Sequence, residues 1–273
     1  MFGQLAAISG LHVSLATEPV FSVGPLSITN SMLLGMIGVI IMVSLLVYTA
    51  RAMQRGRHNH LIGIVSWAVE GMYGVVFEII PDKVVAKKIA PVALTIFFTV
   101  LATYWVGVLP GVGSITWEGS PLLRGLPSDL NFTFALALIT IVGAQAYAVK
   151  AHGFFGNLGR YLVNPFKNPI GAFEGLLELI GEFSRLIALS LRLFGNAFAG
   201  EVLLMIIALL SGWFASLSLP FVMIFELFIG FIQAYVFFML TLIFTSLAVA
   251  SHGESHAAHS SDDTKLLKDE ATS

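Results

Sequence analysis

The chain has no cysteine, which excludes disulfides and thiol chemistry. It is also poor in charge. Asp, Glu, Lys and Arg make up 11% of its 273 residues, against roughly 25% in an ordinary soluble protein. No glycine-rich phosphate loop, no HExxH and no internal repeat occur, so no nucleotide, catalytic metal or other cofactor is expected. What the chain has in excess is apolar surface: 57% of its residues are hydrophobic and its mean hydropathy is +0.89. A soluble core needs a polar skin that this composition does not supply, whereas a bilayer offers an apolar solvent. Soluble enzymes, nucleic-acid binders and secreted disulfide scaffolds are therefore excluded, and a polytopic helical membrane protein is expected.

The apolar runs set the layout. Leu26–Ala50 carries no ionisable group except Tyr48 and ends at Arg51, Arg55 and Arg57. As a helix it would rise about 37 Å, enough to cross roughly 30 Å of hydrocarbon with tilt. Residues 1–25 are expected to form a short external segment rather than a signal peptide. Further spans are expected at 89–110, at 131–149 after the polar Ser128–Asp129–Leu130–Asn131 turn, at 187–210 and at 220–250. The last is longer than a perpendicular crossing needs, so it should tilt. Glu174, Glu178 and Glu182, at i, i+4 and i+8, form one helical stripe leading into the fourth span, which implies a single long helix. Leu61–Ile80 is apolar but holds Glu70 and Glu78, and a lysine cluster follows it.

Charge decides how that segment lies. With residues 1–25 outside and Leu61–Ile80 along the inner surface, Arg51, Arg55, Arg57, Lys83, Lys87, Lys88, Lys150, Arg160, Lys167, Arg185, Lys265 and Lys268 all fall inside. Only Arg124 then falls outside, as the positive-inside rule demands. The expected fold is an all-α polytopic membrane protein with five transmembrane helices plus an interfacial amphipathic helix, the last two spans long and tilted. Residues 26–250 form a single membrane domain, and the polar residues 251–273 read as a disordered cytoplasmic tail.

Within the spans the polar residues are few. Arg192 sits in Leu186-Ile-Ala-Leu-Ser190-Leu-Arg192-Leu-Phe-Gly-Asn196, where insertion costs about 2.5–3.5 kcal/mol at a helix centre. The guanidinium does not discharge to escape. Either it snorkels to the inner headgroups, or it is a fixed charge at a protein interface past which another group moves. Helical phase favours the second. Asn196 shares its face, whereas Glu201 lies about 180° round the helix and about 13 Å along it, with Ser190 near the Glu201 side. Arg192 and Glu201 are therefore not an intrahelical ion pair. On the last span Glu226 and Gln233 share a face. They either bond helices together or, if Glu226 faces Glu201 across the short 211–219 loop, the two acids share and relay a proton. Glu178 on the acidic stripe and His12 in the external segment are weaker pathway candidates. Tyr104 and Trp105 read as packing residues.

The run Ser190-Leu-Arg192-Leu-Phe-Gly-Asn196-Ala-Phe-Ala-Gly-Glu201 resembles the signature of the a subunit of F-type ATP synthases, the membrane stator beside the rotating c-ring. Asp129-Leu-Asn131-Phe-Thr-Phe-Ala-Leu-Ala-Leu, Ala90-Pro91-Val-Ala-Leu-Thr95 and Phe231-Ile-Gln233-Ala-Tyr-Val-Phe are similar to the same family, so the likeness covers most of the chain. The resemblance implies a proton-conducting stator subunit in a bacterial plasma membrane or its equivalent. Its partners would be the c-ring, the b subunits of the peripheral stalk and lipid, not nucleic acid. It implies two offset half-channels, with Arg192 facing each passing c-ring carboxylate and preventing a short circuit. Asn196 and Gln233 would lie near it, and Glu201 and Glu226 would line the outer half-channel. Many members carry one acid and one histidine at that pair; this chain carries two acids. Where some relatives have acids early in the first span and late in the second, Asn30 and the uncharged run 104–112 stand here. No active-site chemistry of its own is implied.

Three other classes are weighed against this. An ion-coupled secondary transporter would favour inverted repeats and broken helices. An intramembrane hydrolase would need a nucleophile with a base, or a metal motif, inside the spans. A non-conducting scaffold would use the same polar residues only to hold helices together.

Overall fold

The computed structural model describes residues 19–23, 26–57, 59–80, 82–112, 116–117, 120–154 and 169–250. Among them six long helices follow one another: α1 (Asn30–Gln54), α2 (His60–Ile79), α3 (Lys83–Val108), α4 (Leu130–His152), α5 (Pro169–Ser211) and α6 (Ala215–Ala250). Two small antiparallel hairpins precede and interrupt them. β1 (Pro19–Val23) pairs with β2 (Leu26–Thr29), and β3 (Thr116–Trp117) pairs with β4 (Ser120–Pro121). The chain is an all-α polytopic membrane protein. By length and composition, 30–54, 60–79, 83–108, 130–150 and the continuous stretch 170–247 are each apolar enough to cross a bilayer, the last containing both α5 and α6.

Caps, not the limits of the apolar runs, fix where the helices begin. The first helix starts at Asn30 rather than at Leu26, because Leu26–Thr29 is spent in β2 and the Thr29 hydroxyl accepts from Met32 N at 3.4 Å. The second expected span begins six residues earlier than its apolar run. Asp82 caps α3 by accepting from Val84 N at 2.7 Å, so Lys83, Lys87 and Lys88 occupy the first turns of the same helix. Asp129 caps α4, accepting from Asn131 N at 2.9 Å, as expected of the Ser128–Asn131 turn. The loop expected over 211–219 is much shorter, a single 3₁₀ turn at Gly212–Phe214, and Pro220 lies inside α6. Gly212 carries φ 47°, the backbone sign such a tight reversal requires.

The long helix implied by the acidic stripe is present. α5 has 43 residues, a rise of about 64 Å, which no hydrocarbon layer of roughly 30 Å can hold upright. α6, at 36 residues, is likewise too long for a perpendicular crossing. α3 is the central helix, packed on α6 and α1, while α4 packs on α5 and α6. Ile89, Phe97, Leu193, Phe237, Phe238 and Leu242 fill the middle, with Phe97 edge-on to Phe238 at 6.0 Å between ring centroids. The outward faces are apolar too: Met36 and Ile40 on α1, Phe183 and Leu191 on α5, and Phe221 and Ile224 on α6 are exposed. That inverts the soluble pattern and fits lipid.

The segment 120–129, between β4 and α4, is not a surface loop. Asn30 Nδ2 donates to Pro121 O at 2.9 Å, and Ser31 Oγ donates to Asp129 Oδ2 at 3.0 Å. Leu126 fills the space where Gly35 has no side chain, and Gly125 and Gly107 bring their backbones together. Arg124, Leu126, Pro127, Ser128 and Asp129 are all buried.

Candidate ion pathway

Arg192 is exposed on α5, with no carboxylate at ion-pair distance among the described residues. Ala188, Gly195, Ala199, Leu203 and Ile206 are exposed at helical spacing along the same face, giving a shallow apolar stripe with one charge in it. Asn196, one turn on, is half-buried. The opposite side of the helix is packed. Leu189 and Leu193 are buried, and Ser190 meets Thr133 of α4 with its Oγ 3.2 Å from Thr133 Oγ1. The division of α5 into two polar sides is thus as helical phase requires.

Glu226 on α6 is 3% exposed. Tyr104 of α3 donates its hydroxyl to Glu226 Oε2 at 3.1 Å. One turn further along α6, Gly230 has no side chain, and the Tyr104 ring occupies that space. The neighbouring Trp105 donates Nε1–H to Leu227 O at 3.0 Å, so the end of α3 is fastened to α6 at the acid and along the turn that follows it. On α5, Gly200 lies directly against the Glu226 carboxylate, where any β-carbon would collide with it. A Gly200→Val variant therefore displaces Glu226 from Tyr104. Overpacking of this kind costs about 1–3 kcal/mol. The expected outcome is a complex with a lowered melting temperature and impaired ion flux, with Gly200→Ala intermediate between it and the parent.

Glu201 is on the adjacent position of α5 but has a different partner. Arg124 Nε donates to Glu201 Oε2 at 3.2 Å and to Ser128 Oγ at 3.1 Å. The guanidinium also lies over the Phe198 ring, 5.9 Å from its centroid. Beside the expectation that Glu201 and Glu226 face each other, each acid has a partner of its own, Arg124 for Glu201 and Tyr104 for Glu226. Two helices that meet at Gly200 bring the acids to one region, but each is claimed by a separate neighbour.

Gln233, two turns beyond Glu226, is buried, and its Oε1 has no hydrogen-bond donor among the described residues. Glu178 is half-buried on the first half of α5. Nearby Glu182 pairs with Arg185 at 3.5 Å, and Arg185 lies over the Phe244 ring at 5.1 Å. His12 lies outside the described residues.

Two participants were not recognised as such in the sequence. Tyr104 read as packing, and Arg124 counted only as the single outer basic residue. Their contacts join positions 122 and 77 residues apart, which no local spacing announces.

The architecture and this arrangement of polar groups define a polytopic membrane protein with a charged outward helix face and a separate buried acidic region behind it. The family described as ATP synthase A chain matches residues 32–246, and the chain belongs to that family. It is 31% identical to an ATP synthase subunit a of Enterococcus faecalis over 83% of this chain and 94% of that relative. It is 37% identical to an ATP synthase subunit a of Aliivibrio salmonicida over 59% of this chain, a match spanning 62% of that relative's length. With an ATP synthase subunit a of Marinomonas sp. it shares 34% identity over 70% of this chain and 72% of the relative.

Proposed function

We propose that this chain is the ion-conducting stator subunit of a bacterial F-type ATP synthase, providing two offset half-channels to and from the carboxylates of a c-ring. The observation that carries this reading is the exposure of Arg192 on the apolar outward face of α5, with Glu201 and Glu226 set away from it. A charge in that position needs a partner from outside the chain, and a ring of membrane carboxylates supplies one. The b subunits of the peripheral stalk would hold the chain against rotation, and lipid would cover the remaining apolar faces. In this arrangement residues 1–25 lie outside, α2 runs along the inner surface and the C-terminal tail lies inside, which places the basic residues as the positive-inside rule asks.

The mechanism follows from charge and geometry. A proton enters from outside along the region of Glu226 and Glu201 and neutralises a ring carboxylate, which can then turn through lipid. After nearly a full revolution the proton leaves to the inside beside the acidic first half of α5. Arg192 makes no bonds. Its fixed charge stabilises the carboxylate left when a proton departs, and it repels any cation crossing directly between the half-channels. Gln233 Oε1 offers an acceptor to a mobile donor in the same region. A membrane potential contributes about 2.3 kcal/mol per elementary charge per 100 mV, and the offset of the two openings converts that into rotation.

The absence of native cysteine makes a direct test available. A cysteine introduced at Leu203, on the Arg192 stripe, is expected to form a disulfide with a cysteine on the outer helices of the ring. One at Leu189, buried on the other side of α5, is not. Equal yields from both positions, or none from Leu203, would overturn this assignment of the ring-facing surface.

A further inference from the structure

The C-terminal end of α1 carries a site that the ion pathway does not use. Ser44, Tyr48, Arg51 and Arg55 follow one another at helical spacing and, with Arg57, line one cleft of about 370 Å³. We propose that this cleft binds the headgroup phosphate of an anionic phospholipid, a role that does not depend on how protons cross the chain. Its volume lies within the roughly 300–1,000 Å³ of small-molecule sites. No carboxylate pairs with any of the three arginines among the described residues, so their donors are open to an acceptor from outside. A guanidinium fork matches two phosphate oxygens at once.

A span needs basic residues near one end for topology alone, but topology does not gather them into one cleft. Here the chain reverses to do so. Gly56 carries φ 66°, and Arg57 N donates to Ala52 O at 3.0 Å, which turns Arg57 back alongside the last turn of the helix. The cleft also follows the order of a lipid molecule. Ile40, 60% exposed, continues the stripe one turn before Ser44. It lies about 16 Å along the axis from Arg51, close to half of a roughly 30 Å hydrocarbon layer. Ile40 and Val47 thus meet the acyl chain, Tyr48 stands where tyrosine suits the headgroup boundary, and the arginines meet the phosphate. A free anion or an acidic protein segment would use the charges and leave the apolar part of the stripe bare.

The test uses the whole ATP synthase in phosphatidylcholine nanodiscs doped with a photoactivatable phospholipid, either phosphatidylglycerol or phosphatidylcholine. Lipid label on residues 40–57 is read by mass spectrometry. Label from the anionic lipid is expected to exceed that from the zwitterionic one by about fivefold or more, the order that one basic side chain supplies at an anionic surface. The triple variant Arg51→Gln, Arg55→Gln, Arg57→Gln should bring the two lipids level. The corresponding triple to lysine keeps every charge, and with it the topology signal, but loses the planar forks, and should lose most of the preference. Full preference in the lysine variant would mean diffuse surface charge and overturn the site. Equal labelling of the wild-type chain by both lipids overturns it too, as does a preference that survives the glutamine triple. Excess inorganic phosphate, at matched ionic strength, should leave the anionic-lipid label unchanged. Loss of label to phosphate would assign the cleft to a soluble anion, and no label from either lipid would mean that a protein segment covers it; both results overturn the proposal.

Discussion

Arg192→Ala is expected to reduce proton-driven ATP synthesis to background while the altered chain still assembles into the complex. Assembly should survive because the side chain contributes nothing internal. It is exposed on α5 and has no ion-pair partner among the described residues, so truncation opens no cavity, and alanine is the best helix former. Insertion even becomes easier, since the charge costs about 2.5–3.5 kcal/mol at a helix centre. A charge kept at such a cost, with no ion-pair partner among the described residues, suits the proposed role toward a partner outside the chain. On the proposed mechanism, a ring carboxylate without this charge would have nothing to favour its proton's departure, and the barrier between the half-channels would disappear. Arg192→Lys should recover little. An ammonium is a compact, strongly hydrated point charge, whereas the planar guanidinium presents a broad fork of donors to a moving carboxylate. Synthesis and passive proton flux, measured on the same vesicles, check both effects. Normal synthesis in the alanine variant would defeat the stator reading.

Much of this architecture is legible in local sequence, and what is not has a physical reason. The stripe Glu174, Glu178, Glu182 announces that α5 starts well before its apolar part, because i, i+4 spacing is a property of one helix. The phase between Arg192 and Glu201 likewise separates two sides of α5 without reference to any other element. Helix starts are less legible, since the Thr29 and Asp82 caps override the hydropathy limits, and Leu26–Thr29 reads as well in a helix as in the strand it forms. Contacts across the fold are illegible. That Glu226 meets Tyr104 depends on how α3, α5 and α6 cross, and the crossing is set by glycines at positions 200 and 230 whose importance lies in what they lack. Arg124 shows the same limit from the charge side. A count of outer basic residues takes Arg124 in, but does not reveal that the segment bearing it is folded inward.

Glu226→Gln carries the second large effect, and it separates proton transfer from helix packing at one atom. Glutamine has the same shape as glutamate, and its amide oxygen can accept the Tyr104 hydroxyl that now reaches Glu226 Oε2 at 3.1 Å. It also lies against Gly200 without added bulk. The junction of α3, α5 and α6 is therefore preserved, and the melting temperature of the complex should change little. What is lost is the capacity to bind and release a proton. If Glu226 is the acid through which protons reach the ring, synthesis and ATP-driven pumping should both fall at least a hundredfold. A histidine at 226 restores a titratable group but is shorter and rigid, so partial recovery in Glu226→His would show that titration, rather than the carboxylate's charge, is what the position supplies. Tyr104→Phe provides the complementary loss. It removes the hydroxyl but not the titrating group, so it should slow transport severalfold without abolishing it. Full activity in Glu226→Gln would move the proton-carrying role away from this buried acid and leave it as a hydrogen-bonded tie between α3 and α6.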